Sequence, residues 1–408
     1  MAQDIVRSEI HELVKQVSLQ PQEALLEERK HKHHIGIGVP KEITYQENRI
    51  PLTPSAVHLL VNNGHTVLIE AGAGNTANFS DQEYSDAGAQ IASSAKEVYS
   101  SEIILKVDPP TEVEIEWMRP DQILISALQP ATLKQSYIRN LMEKRITAFA
   151  YEFIRDSSGT LPVIRSMSEI AGSTAILIAA EYLSNVKGGK GEMLGGISGI
   201  PPTEIVIIGS GTVGEYAARA ALGLGAEVKV FDNSLYRLRR LQNNIGSRIY
   251  TSLLHPKILS KAMLSADVAV GALRAEDGLT PNVVSEVMVR NMKKGAVIID
   301  VSIDQGGCFD TSQVTTHDNP TFTKYDVIHY CVPNIPSRVS RTASYALSNI
   351  FSPMLLKMAN AGNLKNYIWA NTGARQGVYV YKGHLTNRHL GNRFDIQYKE
   401  LDLLLPTL

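Results

Sequence analysis

One ten-residue run in mid-chain limits the possible folds more than any other feature: Ile205-Val206-Ile207-Ile208-Gly209-Ser210-Gly211-Thr212-Val213-Gly214. Four β-branched residues in succession read as a strand buried on both faces, as parallel sheets require. Glycines follow at once. Gly209 allows a tight turn, Gly211 lets backbone approach a pyrophosphate, and Gly214 lets the next helix pack close. The Ala-rich residues 215–224 have helical composition, and residues 227–231 read as a second strand. Asp232 stands at the end of that strand, where a carboxylate can accept both hydroxyls of an adenosine ribose. Strand, glycine turn, helix, strand and acid in this order predict a dinucleotide site, with Thr212 and Val213 inside it.

Around this unit the chain is long enough for two or three domains, at 408 residues. A net charge of −1 gives no reason to expect nucleic acid or an anionic membrane as partner. Cys308 and Cys331 cannot build a disulfide framework and lie in no CxxC motif, which fits a reducing cytoplasm. No apolar run is read as long enough to span a membrane, and no signal-peptide core is read at the start, so a soluble cytoplasmic protein is expected. The run Glu27-Glu28-Arg29-Lys30-His31-Lys32-His33-His34 reads as a solvated connector, because no cysteine or acid is placed to complete a metal site.

Residues 1–34 read as an appendage carrying a short amphipathic helix on Ile5, Ile10, Leu13, Val14 and Val17. From Ile35, strands at 35–40, 66–70, 103–107, 122–126 and 146–151 alternate with helical segments, the first with Pro54 near its start and Gly64 at its stop. A long helix is expected over 169–183. The glycines from 188 to 199 precede the nucleotide strand rather than follow it, so they read as a flexible or tightly turned linker. Strands at 266–270 and 296–300 continue the second unit. A helix covers about 340–359, and the remainder, with few strand signals, is expected to return to the first unit. The fold class that results is α/β: two doubly wound parallel-sheet, Rossmann-like domains separated by a cleft. The expected division is 35–165 plus 341–408 for one domain and 166–340 for the other.

Several segments carry a family pattern. Gly38-Val39-Pro40-Lys41-Glu42, Asn48-Arg49, Leu52-Thr53-Pro54 and Glu70-Ala71-Gly72-Ala73-Gly74 resemble the N-terminal domain of alanine dehydrogenases. That family also includes the nucleotide-binding subunit of proton-translocating transhydrogenase. Ala150-Tyr151-Glu152, Met167-Ser168-Glu169-Ile170-Ala171-Gly172, Ile303-Asp304-Gln305-Gly306-Gly307-Cys308, Tyr330-Cys331-Val332-Pro333-Asn334-Ile335-Pro336 and Arg341-Thr342 extend the match over about 35–380. The resemblance implies reversible conversion of L-alanine, NAD and water to pyruvate, NADH and ammonium, by a homo-oligomer, hexamer or dimer. Arg49 matches the family's carboxylate-binding arginine, and Asp304 its aspartate beside nicotinamide and substrate amine. Ser168, Leu273 and Asn334 match positions that line the nucleotide, and Ile303, Val332 and Ile335 flank them. Asp232 favours NAD over NADP, because a carboxylate repels a 2′-phosphate. Arg237 matches a basic residue beside the adenosine.

Two positions depart from the family. Its Lys-Val-Lys-Glu-Pro segment is Lys106-Val107-Asp108-Pro109-Pro110 here, and its catalytic histidine, in a Leu-His pair, is matched by Gln129 of Leu128-Gln129. A cation is replaced by an anion, and a titratable ring by an amide that cannot shuttle protons. Three readings stay open: a substrate with a cationic group, an NAD-binding homologue without efficient alanine turnover, or compensation by a residue such as Lys106 or Glu152. The segment 274–278 replaces a Pro-Gly loop of the family.

Overall fold

The computed structural model describes residues 33–129, 132–274 and 280–406. The expected N-terminal helix and most of the 274–278 loop lie outside these residues. The strands, in chain order, are β1 (Gly36–Val39), β2 (Thr66–Glu70), β3 (Gln90–Ala92), β4 (Ile103–Leu105), β5 (Ile123–Ser126), β6 (Thr147–Ala150), β7 (Glu204–Ile208), β8 (Glu227–Phe231), β9 (Tyr250–Ser252), β10 (Val268–Gly271), β11 (Val297–Asp300), β12 (Thr321–Lys324), β13 (Val327–Tyr330), β14 (Val378–Tyr381) and β15 (His384–Leu385). They form two sheets in two compact units: 33–42, 50–162 and 347–406 in the first, 43–49 and 163–346 in the second, both apart from undescribed residues.

The first unit holds the order β15-β14-β6-β5-β4-β1-β2-β3. From β6 to β3 every pair is parallel, as the alternation of strands and helices predicts. Ile104, Leu124 and Ala148 lie side by side on β4, β5 and β6 and share a core with Tyr137, Ile138 and Leu141 of the helix Gln135–Glu143. The C-terminal segment departs from expectation. Val378-Tyr379-Val380-Tyr381 is a β-branched and aromatic run, and it adds β14 antiparallel to β6, with β15 antiparallel beyond it.

The second unit holds the order β12-β13-β11-β10-β7-β8-β9, parallel except for β12. Alternation on β7 supplies two cores, since side chains point to opposite faces with period two. Ile205 and Ile207 enter one, Val206 and Ile208 the other. The long helix runs Pro162–Leu183, starting seven residues earlier than expected, with proline at its first residue. Contrary to expectation, it is long and apolar enough to cross a membrane by length and composition. Ala171, Ala175, Ile176, Ile178, Ala179, Tyr182 and Leu183 are nevertheless buried in the first of these cores, the packing of a core helix. Gly172 permits its close approach to the helix Thr212–Gly223: a Cβ there would lie 2.3 Å from the Val213 carbonyl oxygen. The 188–199 loop is tightly turned, with positive φ at Gly188, Gly191, Gly196 and Gly199.

Candidate active site

In the second unit the sheet order reverses between β7 and β10, the place where doubly wound sheets bind ligands. Gly209 leaves β7 with φ 113°, and a Cβ there would meet the Ala272 carbonyl oxygen at 2.3 Å and the Leu273 nitrogen at 2.9 Å. The turn is thereby pressed against the end of β10. At Gly214 a Cβ would lie 1.9 Å from the Gly209 carbonyl oxygen. Gly211 is different: a Cβ there meets nothing within 4 Å. Its open side lies at the start of the helix Thr212–Gly223, where backbone N–H groups and the helix dipole favour an anion. The residues present thus fit a dinucleotide pyrophosphate.

Asp232 is buried beside this turn. Its Oδ2 accepts from the Ser210 N–H (2.7 Å) and hydroxyl (2.9 Å), and its Oδ1 from the Ser234 N–H (2.8 Å). The carboxylate therefore fixes the glycine turn. Arg237 is in the first turn of the helix Leu235–Ile245, with its N–H donated to the Ser234 hydroxyl. Arg240, which sequence reasoning missed, donates to the Ser210 carbonyl at 3.3 Å. Val332 and Ile335 are core residues, and Ile303 is buried as well.

Asp304 lies exposed in the short turn Ile303–Gln305, beyond the C-terminal end of β11. Although the residue as a whole is exposed, protein crowding about the carboxyl desolvates it and raises it above the ordinary value, and the Arg274 guanidinium opposes that shift. Asn334 adopts the left-handed conformation (φ 60°) and donates from Nδ2 to Glu47 Oε2 at 2.8 Å. Arg49 Nε donates to Glu47 Oε1 at 2.7 Å and Nη2 to Glu47 Oε2, a two-pronged pair, while Nη1 lies 3.4 Å from Met167 Sδ. Ser168, half-buried, follows Met167 on the same helix. Burial pushes the Glu47 carboxyl up, but Arg49 and its hydrogen bonds outweigh this and hold it below the usual value. Glu47 was not legible as a site residue: an acid two positions before an arginine is an ordinary loop pattern.

In the first unit, the ends of β1, β4, β5 and β6 bring together Glu42, Lys106, Asp108, Gln129 and Glu152. Glu42 Oε1 accepts from the Val107 N–H at 2.6 Å. Lys106 has no exposure and lies 2.9 Å from Glu114 Oε1 and 3.4 Å from Glu42 Oε2. Burial alone would lower its ammonium; the two carboxylates outweigh it and hold the group above its ordinary value. Lys106 is thus taken up by buried acids and does not stand in for the family's second lysine. Asp108, only 6% exposed, accepts from Gln129 Nε2 at 2.8 Å. The two departing positions therefore bond each other. Gln129 also sits in the left-handed region (φ 47°). Glu152 Oε1 accepts from the Leu128 N–H (2.7 Å) and the Gln129 N–H (3.2 Å), and Oε2 is buried without a hydrogen-bond partner among the described residues. Burial raises the Glu152 carboxyl above its ordinary value, the Asp108 charge adds to this, and the backbone N–H groups oppose it.

A phosphate-ready glycine turn on a doubly wound sheet, with a second α/β unit carrying titratable residues at its strand ends, defines the class of two-unit, dinucleotide-binding α/β proteins. Family models narrow this: residues 38–171 match the alanine dehydrogenase/PNT N-terminal domain and 175–388 the alanine dehydrogenase/PNT C-terminal domain. The chain belongs to the alanine dehydrogenase/PNT family. It is 38% identical to alanine dehydrogenase 2 of Staphylococcus aureus (strain USA300) over 367 residues, 90% of this chain and 98% of that protein. Among solved structures it matches an L-alanine dehydrogenase with a TM-score of 0.84 at 39% identity, over 89% of this chain and all of that one. A transhydrogenase from Sinorhizobium meliloti matches at 0.75 and 22% identity, over 87% of this chain and 99% of that one, which shows the shared fold.

Proposed function

We propose that the chain is an NAD-dependent alanine dehydrogenase, converting L-alanine and water to pyruvate and ammonium and running in reverse. The observation that carries this reading is the match to alanine dehydrogenases along nearly their whole length. Residues 166–340 would be the NAD-binding domain and 35–165 with 341–408 the substrate domain, except that 43–49 pack with the former. The partners are an amino acid and its 2-oxo acid, in a cytoplasmic homo-oligomer.

Gly209, Gly211, Thr212, Val213 and Gly214 would hold the pyrophosphate, Asp232 and Arg237 the adenosine end, and Ser168, Leu273, Ile303, Val332, Asn334 and Ile335 the rest of the nucleotide. NAD, when bound, accepts the hydride from the substrate α-carbon. Arg49 holds the substrate carboxylate, with Glu47 occupying two of its five donors and fixing the plane of the guanidinium. Asp304 would serve the substrate amine, the role of the aspartate it matches in the family. Gln129 orients the carbonyl end by its amide. Glu152, the titratable group beside Gln129, handles the proton that the family's histidine would carry. The test is oxidation of NADH by pyruvate and ammonium.

A second reading, an NAD-binding member with a different amino-acid substrate, is favoured by the Gln129–Asp108 bond, which puts an anion where the family has a lysine. A panel of 2-oxo acids, including ones with cationic side groups, separates the two: turnover on those and not on pyruvate supports the second.

A further inference from the structure

Asp300 closes β11 and has no exposed surface, yet it is a carboxylate. Its Oδ1 accepts from the Ser302 N–H at 3.1 Å, and its Oδ2 from the Cys308 N–H at 2.9 Å and the Ser312 hydroxyl at 2.6 Å. Ser302 and Cys308 bracket the turn that carries Asp304. The same carboxylate thus grips both ends of that turn. Its walls are glycine. A Cβ at Gly271 would come within 2.7 Å of Oδ1, and one at Gly307 (φ 84°) within 2.6 Å of Oδ2. Ser302 passes the constraint on, because its hydroxyl donates to the Leu273 carbonyl at 2.6 Å, and Leu273 stands beside the Gly209 turn. A buried carboxylate is costly unless its lone pairs are satisfied, and these donors satisfy it.

We propose that Asp300 is a positioning residue for the reaction: it clamps the 302–308 turn so that Asp304 and the Leu273 backbone are presented in one fixed geometry. The inference rests on the reading of Asp304 as a residue at the reacting centre. A side chain held by a short loop keeps catalytic precision only if the loop's own ends are fixed, and a displacement of about 1 Å is enough to cost a hundredfold in rate.

The test uses the full-length protein and two variants. Asp300→Asn keeps the shape but replaces one acceptor oxygen by an NH2 that faces donors. Ser312→Ala keeps the carboxylate and removes one of its donors, so it serves if the Asn variant fails to fold. With NADH, pyruvate and ammonium, kcat is expected to fall about ten- to a hundredfold in Asp300→Asn and severalfold in Ser312→Ala, with KM for pyruvate and NADH moving less than about threefold. Hydrogen exchange at the Ser302 and Cys308 amides is expected to quicken in Asp300→Asn. A merely structural role would lower Tm and leave kcat of the folded protein unchanged. Variants that keep kcat within twofold of the unaltered chain overturn the proposal, as does unchanged protection of the two amides. If the unaltered chain binds NADH but turns over no substrate, the reading of Asp304 fails instead, and the exchange rates alone decide whether the clamp exists.

Discussion

Gln129 donates its side-chain amide to Asp108 at 2.8 Å, so the two residues that depart from the alanine dehydrogenase pattern form one unit. Changing either alone gives neither family group in its own setting: a lysine at 108 removes the acceptor of Gln129, and a histidine at 129 can pair with the Asp108 carboxylate. The pair Asp108→Lys with Gln129→His is therefore expected to raise kcat/KM for pyruvate by about tenfold or more, exceeding the product of the single effects. Steady-state kinetics of the four proteins checks this. A double variant no faster than the unaltered chain would show that these positions do not limit alanine turnover.

Glu152 holds the backbone of Leu128 and Gln129 with one oxygen and leaves the other buried and unpaired among the described residues. Its raised carboxyl suits proton transfer. Glu152→Gln is expected to lower kcat by about a hundredfold. In the deamination direction the base form is needed, so the rate of the unaltered enzyme should rise with pH through the Glu152 titration, at a pH above that of an ordinary glutamate, and the Gln variant should lose that limb. A pH–rate profile of unchanged shape in the variant would remove Glu152 from the role.

Two glycines of the nucleotide turn should separate binding from folding. A Cβ at Gly211 meets nothing within 4 Å, whereas one at Gly214 would lie 1.9 Å from the Gly209 carbonyl oxygen. Gly211→Val is expected to fold with near-normal Tm and to lose NADH affinity by about a hundredfold or more, since the side chain intrudes where a pyrophosphate would lie. Gly214→Val should cost about 3 kcal/mol or more of stability whether or not NADH is present. Fluorescence titration with NADH and thermal melts read both. Unchanged NADH affinity in Gly211→Val would refute this placement of the site.

His329 sits at the centre of β13 with no exposed surface. Its Nδ1 lies 2.9 Å from the Val327 carbonyl, which can only accept, so Nδ1 carries the proton and Nε2 accepts from the Thr311 hydroxyl at 2.8 Å. Burial pushes the ring down from 6.5 to about 4. Between these values the unfolded chain holds a proton that the folded chain does not, so stability falls as pH falls from 6.5 toward 4. The full effect is on the order of 3 kcal/mol. Denaturant melts of His329→Gln should show a shallower loss over this window than the unaltered chain. Parallel curves for the two proteins would contradict it.

What could be read from the sequence was what is local. Strand β8 and Asp232 fall where the glycine motif puts them, because a βαβ unit is set by turn residues and period-two burial within some thirty positions. The tertiary partnerships were not visible. Glu47 meets Asn334 across 287 positions of sequence, and the hold of Asp300 on Ser312 depends on how a loop folds back. Lys106 stays open in the sequence as a compensating cation; its capture by Glu114 follows from a helix start, Thr111 to Glu114, that only the packed structure brings under β4. Strand β14 escaped notice because it pairs antiparallel with β6, far back in the chain. In such an arrangement no crossover helix announces the strand.

Reductive amination of pyruvate at this site is tested most directly by isotope tracing. With NADH, pyruvate and 15N-ammonium, mass spectrometry should find one 15N-alanine for each NADH oxidised, and none when ammonium is left out. NADH consumed without ammonium to give lactate, or NADH bound with no labelled amino acid formed, would contradict it.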